Sequence, residues 1–126
     1  KVIAIANQKG GVGKTTSAVN LTASLGRKGK KMLLIDIDPQ GNASSGLGVN
    51  KRDIQLSTYD ILIADAKAED VLQRTSFENI DLLPASMDLA AAEIELVEAE
   101  NRVMKLKQAL APIKEQYDYI LIDCPC

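Results

Sequence analysis

A glycine-rich run between a strand pattern and a helix pattern constrains this chain more than any other feature. Residues 1–7 are KVIAIAN, a β-branched apolar run of strand length, and residues 9–16 are KGGVGKTT. From residue 17 to residue 25 the apolar side chains recur at helical spacing, until Gly26 and Gly29 interrupt the pattern. This order predicts a buried strand, a turn of unusual backbone conformation and then a helix.

The glycine-rich run has the properties that a polyphosphate requires. Glycines lack a Cβ atom, so the backbone N–H groups can turn inward around phosphate oxygens. A helix that starts near Lys14 directs its positive dipole end at the same anion, the Lys14 ammonium reaches the β and γ phosphates, and Thr15 offers a hydroxyl to Mg²⁺. A glycine-rich hairpin is the structural alternative, and the position between strand and helix disfavours it. The predicted phosphate-binding residues are Gly10, Gly11, Val12, Gly13, Lys14, Thr15 and Thr16.

Two further apolar runs end in carboxylates. Residues 31–38 are KMLLIDID, with Asp36 and Asp38 at the end, and residues 117–123 are YDYILID, with Asp123 at the end. Apolar strands separated by helices indicate a three-layer α/β fold with a mostly parallel sheet. Ligands of such sheets bind outside the carboxyl ends of the strands, so we expect the glycine-rich run and the three carboxylates to meet at one edge.

The remaining segments fit the same architecture. Residues 39–50 are small, polar and glycine-rich, which predicts a long loop. Ser57 and Thr58 are suited to cap a short helix over residues 60–64, and residues 68–73 favour another. We expect a strand over 80–84 and a long helix that Ser86 opens, with an apolar stripe from residue 89 to residue 113, and Pro112 ends or kinks this helix at its far end. The apolar stripe of that helix indicates burial against the sheet, with a coiled coil or partner contact as the alternative.

Composition excludes some functions. The formal charge of −2 provides no overall basic field to attract nucleic acid or an anionic membrane. The apolar runs are too short to cross a bilayer and the start of the chain lacks a signal-peptide pattern, so we expect a cytoplasmic protein without a membrane partner. Cys124 and Cys126 are too close in an extended segment for a relaxed disulfide. Because the chain starts at Lys1 and stops directly after a strand pattern, we also expect truncation at the C-terminal end.

The glycine-rich run resembles the loop of the deviant Walker A ATPases. The general pattern GxxxxGK[ST] is not met, because Gln8 occupies the position of its first glycine, whereas KGGVGKT matches the family loop KGGxGK[ST]. The resemblance implies a P-loop NTPase fold that binds ATP and Mg²⁺. It also implies that Lys9 reaches across a nucleotide-sandwich dimer to the partner's ATP, as an arginine finger does.

The same resemblance assigns roles to the carboxylates. Asp38, in DIDPQGNAS, matches the family residue that positions the attacking water, so the implied catalytic residues are Lys9, Lys14 and Asp38. Asp123, in ILIDCP, resembles the Walker B carboxylate that supports Mg²⁺ through water, and Thr15 completes the metal site. Asp36 either supports Mg²⁺ in the outer sphere or is structural. The family continues DCPP, whereas this chain has DCPC.

The segment DPQGNASSGLG resembles the ParA-type partition branch of the family. That resemblance implies that residues 1–126 are the N-terminal portion of a single ATPase domain, and that an ATP-dependent homodimer binds DNA nonspecifically until a ParB-like activator stimulates hydrolysis. It also implies association with the bacterial nucleoid in the ATP state. Two alternatives stay open: a nucleotide-binding or interaction fragment without hydrolysis, and a reductase like the nitrogenase iron protein. Cys126 has the spacing of one cluster ligand of that reductase, but residues 89–113 contain no second cysteine.

Overall fold

The computed structural model describes residues 2–7, 12–37, 42–49, 55–86 and 99–125, and it describes side chains within 18–37, 43–49, 55–86 and 104–123. Strands and helices alternate through most of the chain. In order they are β1 (Val2–Asn7), α1 (Val12–Arg27), β2 (Met32–Asp36), α2 (Asn42–Gly46), α3 (Thr58–Ala64), α4 (Ala68–Val71), β3 (Gln73–Arg74), β4 (Ile80–Leu83), α5 (Ala99–Leu110), a 3₁₀ turn (Lys114–Gln116) and β5 (Tyr119–Pro125).

The strands form one sheet with the order β1-β5-β2-β4-β3. The pairs β1–β5, β5–β2 and β2–β4 are parallel, which confirms the predicted mostly parallel sheet. The two-residue strand β3 pairs antiparallel with β4 at the edge. It was not predicted, because two residues are too few to carry a periodic pattern.

The sheet is covered on both faces, as a three-layer fold requires. In β2, Leu33 and Ile35 belong to a core cluster with residues of α3, α4 and α5. Met32 and Leu34, which alternate with them, belong to a second cluster that includes Ala43 and Leu47 and is flanked by side chains of α1. All five residues of β2 are buried. A strand that is apolar on both faces therefore lies at the centre, as its continuous apolar sequence predicts.

Helix α1 passes through the glycine that was expected to end it. The helix continues to Arg27, and Gly29, with φ +91°, then reverses the chain. Gly26 lies against the turn between β3 and β4, and its carbonyl oxygen accepts a hydrogen bond of 3.0 Å from Asn79 Nδ2. A Cβ atom on residue 26 would be 2.5 Å from the Glu78 carbonyl oxygen. Gly26 is required for this close approach and does not terminate the helix.

The predicted loop over residues 39–50 and the predicted long helix differ from the structure. Residues 39–50 are not a continuous loop, because they include the helix α2. Ser86 itself is not helical, and the following described helix is α5, which ends at Leu110, two residues before Pro112. Residues 87–98 of the predicted long helix lie outside the described residues.

Leu106, Leu110 and Ile113 are buried in the core cluster, which confirms burial for this part of the apolar stripe. Among the described residues, no helix combines the length and apolar character that crossing a membrane requires.

Candidate functional site

The carboxyl ends of three parallel strands meet at one edge of the sheet. Asp36 of β2 and Asp123 of β5 are direct register partners, and Ile5 of β1 pairs with Asp123 on the other side. The Ile37 N–H also donates to the Asp123 carbonyl oxygen at 3.0 Å. Both carboxylates are fully buried. The structure therefore brings together the two acidic strand ends that the sequence placed at this edge.

Asp36 is held by a residue of the short helix α2. The Ser44 N–H donates to Asp36 Oδ2 at 2.9 Å, and the Ser44 hydroxyl donates to the same oxygen at 2.7 Å. Ser44 is fully buried. A buried carboxylate is costly unless it accepts hydrogen bonds, and bonds to a charged acceptor are stronger than neutral ones. These two bonds therefore offset part of the cost of burying Asp36.

The contacts around Asp36 extend to the end of β4 and the start of α3. The Ser44 hydroxyl also accepts a bond of 3.2 Å from the Ala85 N–H. Thr58 Oγ1 donates to the Asp36 carbonyl oxygen at 2.8 Å, and the Thr58 N–H donates to the Pro84 carbonyl oxygen at 2.9 Å. We call Asp36, Ser44, Thr58, Pro84 and Ala85 the Asp36 cluster. It joins the ends of β2 and β4 to the first residues of two helices.

Helix α1 begins close to the carboxyl end of β1. It starts at Val12, two residues before the predicted start near Lys14, and only residues 8–11 separate it from Asn7. Its first turn contains no acidic residue, so no carboxylate of that turn neutralises the positive end of the helix dipole.

The predicted phosphate-binding residues divide between described and undescribed segments. Gly13, Lys14, Thr15 and Thr16 belong, with Val12, to the first turns of α1, and their backbone alone is described. Lys9, Gly10, Gly11 and Asp38 lie outside the described residues, as does Cys126. The roles assigned to these side chains therefore stay predictions.

The two buried carboxylates fit a Mg²⁺ ion that is shared with phosphates. Within the described parts of the chain, no group of three or more His, Cys, Asp or Glu side chains is arranged to hold a metal by itself. Mg²⁺ commonly takes one or two carboxylates and completes its octahedron with water and substrate phosphates. Asp36 and Asp123, which are register partners at the sheet edge, match that number and type of protein ligand.

Sequence reasoning missed Ser44 as a partner of the Asp36 carboxylate, and it missed the structural contact of Thr58 with the Asp36 backbone. Thr58 was assigned only to helix capping, and Ser44 lay in the predicted loop. One signal was available: a carboxylate at the end of an apolar strand needs hydrogen-bond donors when it is buried. The small polar residues Asn42, Ser44 and Ser45 were the nearest source in the sequence. The sequence did not show which of them makes the contact.

Comparisons with known proteins agree with this geometry. The AAA_31 family model, described as an AAA domain, matches residues 1–126. The chain is 58% identical over 125 residues to the sporulation initiation inhibitor protein Soj of Bacillus subtilis, a match that covers 99% of this chain and 49% of Soj. It is 48% identical to the chromosome partitioning protein ParA of Myxococcus xanthus, covering 99% of this chain and 44% of that protein. The chain thus spans about half the length of the curated relatives it matches.

A solved structure shows the same fold. A cobyrinic acid a,c-diamide synthase from Mycobacterium smegmatis, with a bound ATP analog and magnesium, superposes with a TM-score of 0.87 at 42% identity. The match covers 99% of this chain and 51% of that one.

Proposed function

Because this chain belongs to the AAA_31 family and resembles the Soj and ParA partition proteins over nearly its whole length, we propose that it binds ATP and Mg²⁺ and hydrolyses ATP in DNA partitioning. The observation that carries the proposal is the pairing of Asp36 with Asp123 at the carboxyl edge, beside the strand that leads into α1. A nucleotide bound there would have its phosphates at the amino end of α1.

The proposed roles of the loop residues follow from charge and position. Backbone N–H groups of residues 10–16 surround the phosphates, and the Lys14 ammonium contacts the β and γ phosphates. The Thr15 hydroxyl and the carboxylates Asp36 and Asp123 hold Mg²⁺, directly or through water. The ion, when bound, neutralises charge on the phosphate oxygens.

Two residues are proposed to act on hydrolysis more than on binding. Asp38 follows β2 by two residues in the sequence and orients the attacking water. Lys9 supplies a positive charge to the γ-phosphoryl group of a partner subunit's ATP, so hydrolysis requires a dimer. Both assignments derive from the match of KGGVGKT and DIDPQGNAS to the family segments.

The biological setting is proposed for the longer protein to which this chain corresponds. Residues 1–126 contribute the nucleotide site of one ATPase domain. ATP closes the homodimer, the closed dimer binds DNA nonspecifically on the nucleoid, and a ParB-like activator stimulates hydrolysis and release. The location is cytoplasmic and no membrane partner is involved. Since the chain itself has a formal charge of −2, its own DNA affinity should be weak, and tight, salt-sensitive binding in a mobility-shift assay would contradict this.

A comparison of binding and turnover tests the proposal. ATP binding with Mg²⁺ and phosphate release at saturating ATP are measured for the wild type, Lys9→Ala and Asp38→Ala. We expect both variants to bind ATP within about twofold of the wild type and to lose turnover by about a hundredfold, since each removes a transition-state contact. Lys28→Ala is the matched control, because Lys28 is exposed beyond the far end of α1. Binding without turnover in the wild type would instead identify a nucleotide-binding module.

A further inference from the structure

Ser44 donates two hydrogen bonds to the Asp36 carboxylate, one from its backbone N–H and one from its hydroxyl, and both reach one oxygen, Oδ2. Two donors on one oxygen fix the rotation of a carboxylate group. Fixing Oδ2 therefore also fixes the direction in which Oδ1 points.

Ser44 is itself held on the opposite side. Its hydroxyl accepts from the Ala85 N–H at 3.2 Å, so the hydroxyl hydrogen is directed toward Asp36 and the lone pair toward Ala85. The Val49 N–H donates to the Ser44 carbonyl oxygen at 3.1 Å and ties the end of α2 to the following residues. Ser44, Asp36 and Ala85 are all fully buried, so water does not substitute for these bonds.

We propose that Ser44 is a positioning residue, which orients the Asp36 carboxylate toward the Mg²⁺ that accompanies the nucleotide. This inference rests on the proposed function and adds to it a residue outside the glycine-rich run. Ser44 would also link the Asp36 carboxylate to the end of β4, because the same hydroxyl accepts a hydrogen bond from the Ala85 N–H. Residues that orient a metal-supporting carboxylate commonly change metal affinity by about ten- to a hundredfold when they are removed.

The chain offers a matched control inside the same cluster. Thr58 Oγ1 donates to the backbone carbonyl oxygen of Asp36 and not to its carboxylate. Thr58 is as fully buried as Ser44. Thr58→Val therefore removes a buried hydroxyl of similar structural importance and leaves the orientation of the Asp36 carboxylate unchanged.

The experiment measures ATP affinity with excess Mg²⁺ and with EDTA for the wild type, Ser44→Ala and Thr58→Val, together with the free energy of unfolding without nucleotide. We expect Ser44→Ala to weaken binding at least about tenfold with Mg²⁺ and to leave binding in EDTA unchanged. Thr58→Val should lower the free energy of unfolding by about as much as Ser44→Ala does, and its ATP affinity should keep the wild-type response to Mg²⁺. Ser44→Thr, which retains the hydroxyl, should recover most of the Mg²⁺ response.

The outcomes separate this inference from the proposed function. If the wild type shows a Mg²⁺ response and Ser44→Ala matches it, the positioning role is wrong and the ATPase proposal stands. If both variants lose the response equally, Ser44 is structural and the positioning role is again wrong. If the wild type shows no Mg²⁺-dependent ATP binding, the proposed function fails and this inference fails with it.

Discussion

Replacing Gly26 with alanine sets two opposing effects of known size against each other. Alanine is favoured over glycine inside a helix by about 1 kcal/mol, and Gly26 lies in the last turn of α1, so an isolated helix would gain stability. In the folded chain, the new Cβ would be 2.5 Å from the Glu78 carbonyl oxygen and 2.9 Å from Ile80 Cγ1. Neither distance is tolerated, and one contact is with backbone, which cannot rotate away.

The steric effect should win. Forcing extra volume into a packed site costs about 1–3 kcal/mol. Moving the turn away also weakens the 3.0 Å bond from Asn79 Nδ2 to the Gly26 carbonyl oxygen, worth about 1 kcal/mol. After the helix gain is subtracted, we expect Gly26→Ala to lower the free energy of unfolding by about 1–3 kcal/mol.

Urea unfolding followed by far-ultraviolet circular dichroism measures this effect, which suits a chain without tryptophan. Asn20→Ala is the control, because Asn20 is exposed in the middle of the same helix and its replacement should stabilise the chain by about 0.5 kcal/mol. If Gly26→Ala stabilises the chain as Asn20→Ala does, the close packing of α1 on the β3–β4 turn is wrong.

Two further predictions concern other contacts. Burial raises the pKa of Tyr117 above the ordinary tyrosine value, and the 2.7 Å bond that its hydroxyl donates to Asp81, with the charge of Asp81, raises it further. As pH rises, the unfolded chain loses the Tyr117 proton before the folded chain does, so the free energy of unfolding should fall above about pH 10. Tyr117→Phe should reduce this fall in unfolding curves measured at alkaline pH. An unchanged fall in the variant would contradict the role of the Tyr117–Asp81 bond. Ser57 caps α3 by accepting from the Tyr59 N–H at 3.1 Å. Ser57→Ala should therefore cost about 1 kcal/mol in urea unfolding while Ser57→Thr costs less, and equal losses would argue against the cap.

The features that depend on local pattern were predictable from the sequence. The apolar runs ending at Asp36 and Asp123 indicated parallel strands, and parallel strands place their carboxyl ends at one edge. The register of the two aspartates confirms that argument. The cap of α3 at Ser57 was equally local, since a capping residue contacts a backbone group two positions away.

The features that depend on contacts between distant segments were not predictable. Ser44 bonds Asp36 and Ala85, which are 8 and 41 positions away in the chain. Gly26 interrupts a helical pattern in the sequence, but in the structure it allows α1 to contact a turn more than 50 residues later in the chain. In each case a contact with a distant segment explains the residue type. Periodicity in the sequence carries no information about such contacts.

The most direct test of the central claim is equilibrium binding of ATP by calorimetry, with Mg²⁺ and with EDTA, for the wild type, Lys14→Ala and Lys28→Ala. Helix α1 has 16 residues, so the two lysines are separated by roughly 20 Å, and only Lys14 lies at the amino end. We predict Mg²⁺-dependent binding by the wild type and Lys28→Ala, and its loss in Lys14→Ala. Equal binding by all three proteins, or no binding by the wild type, would contradict the proposed nucleotide site.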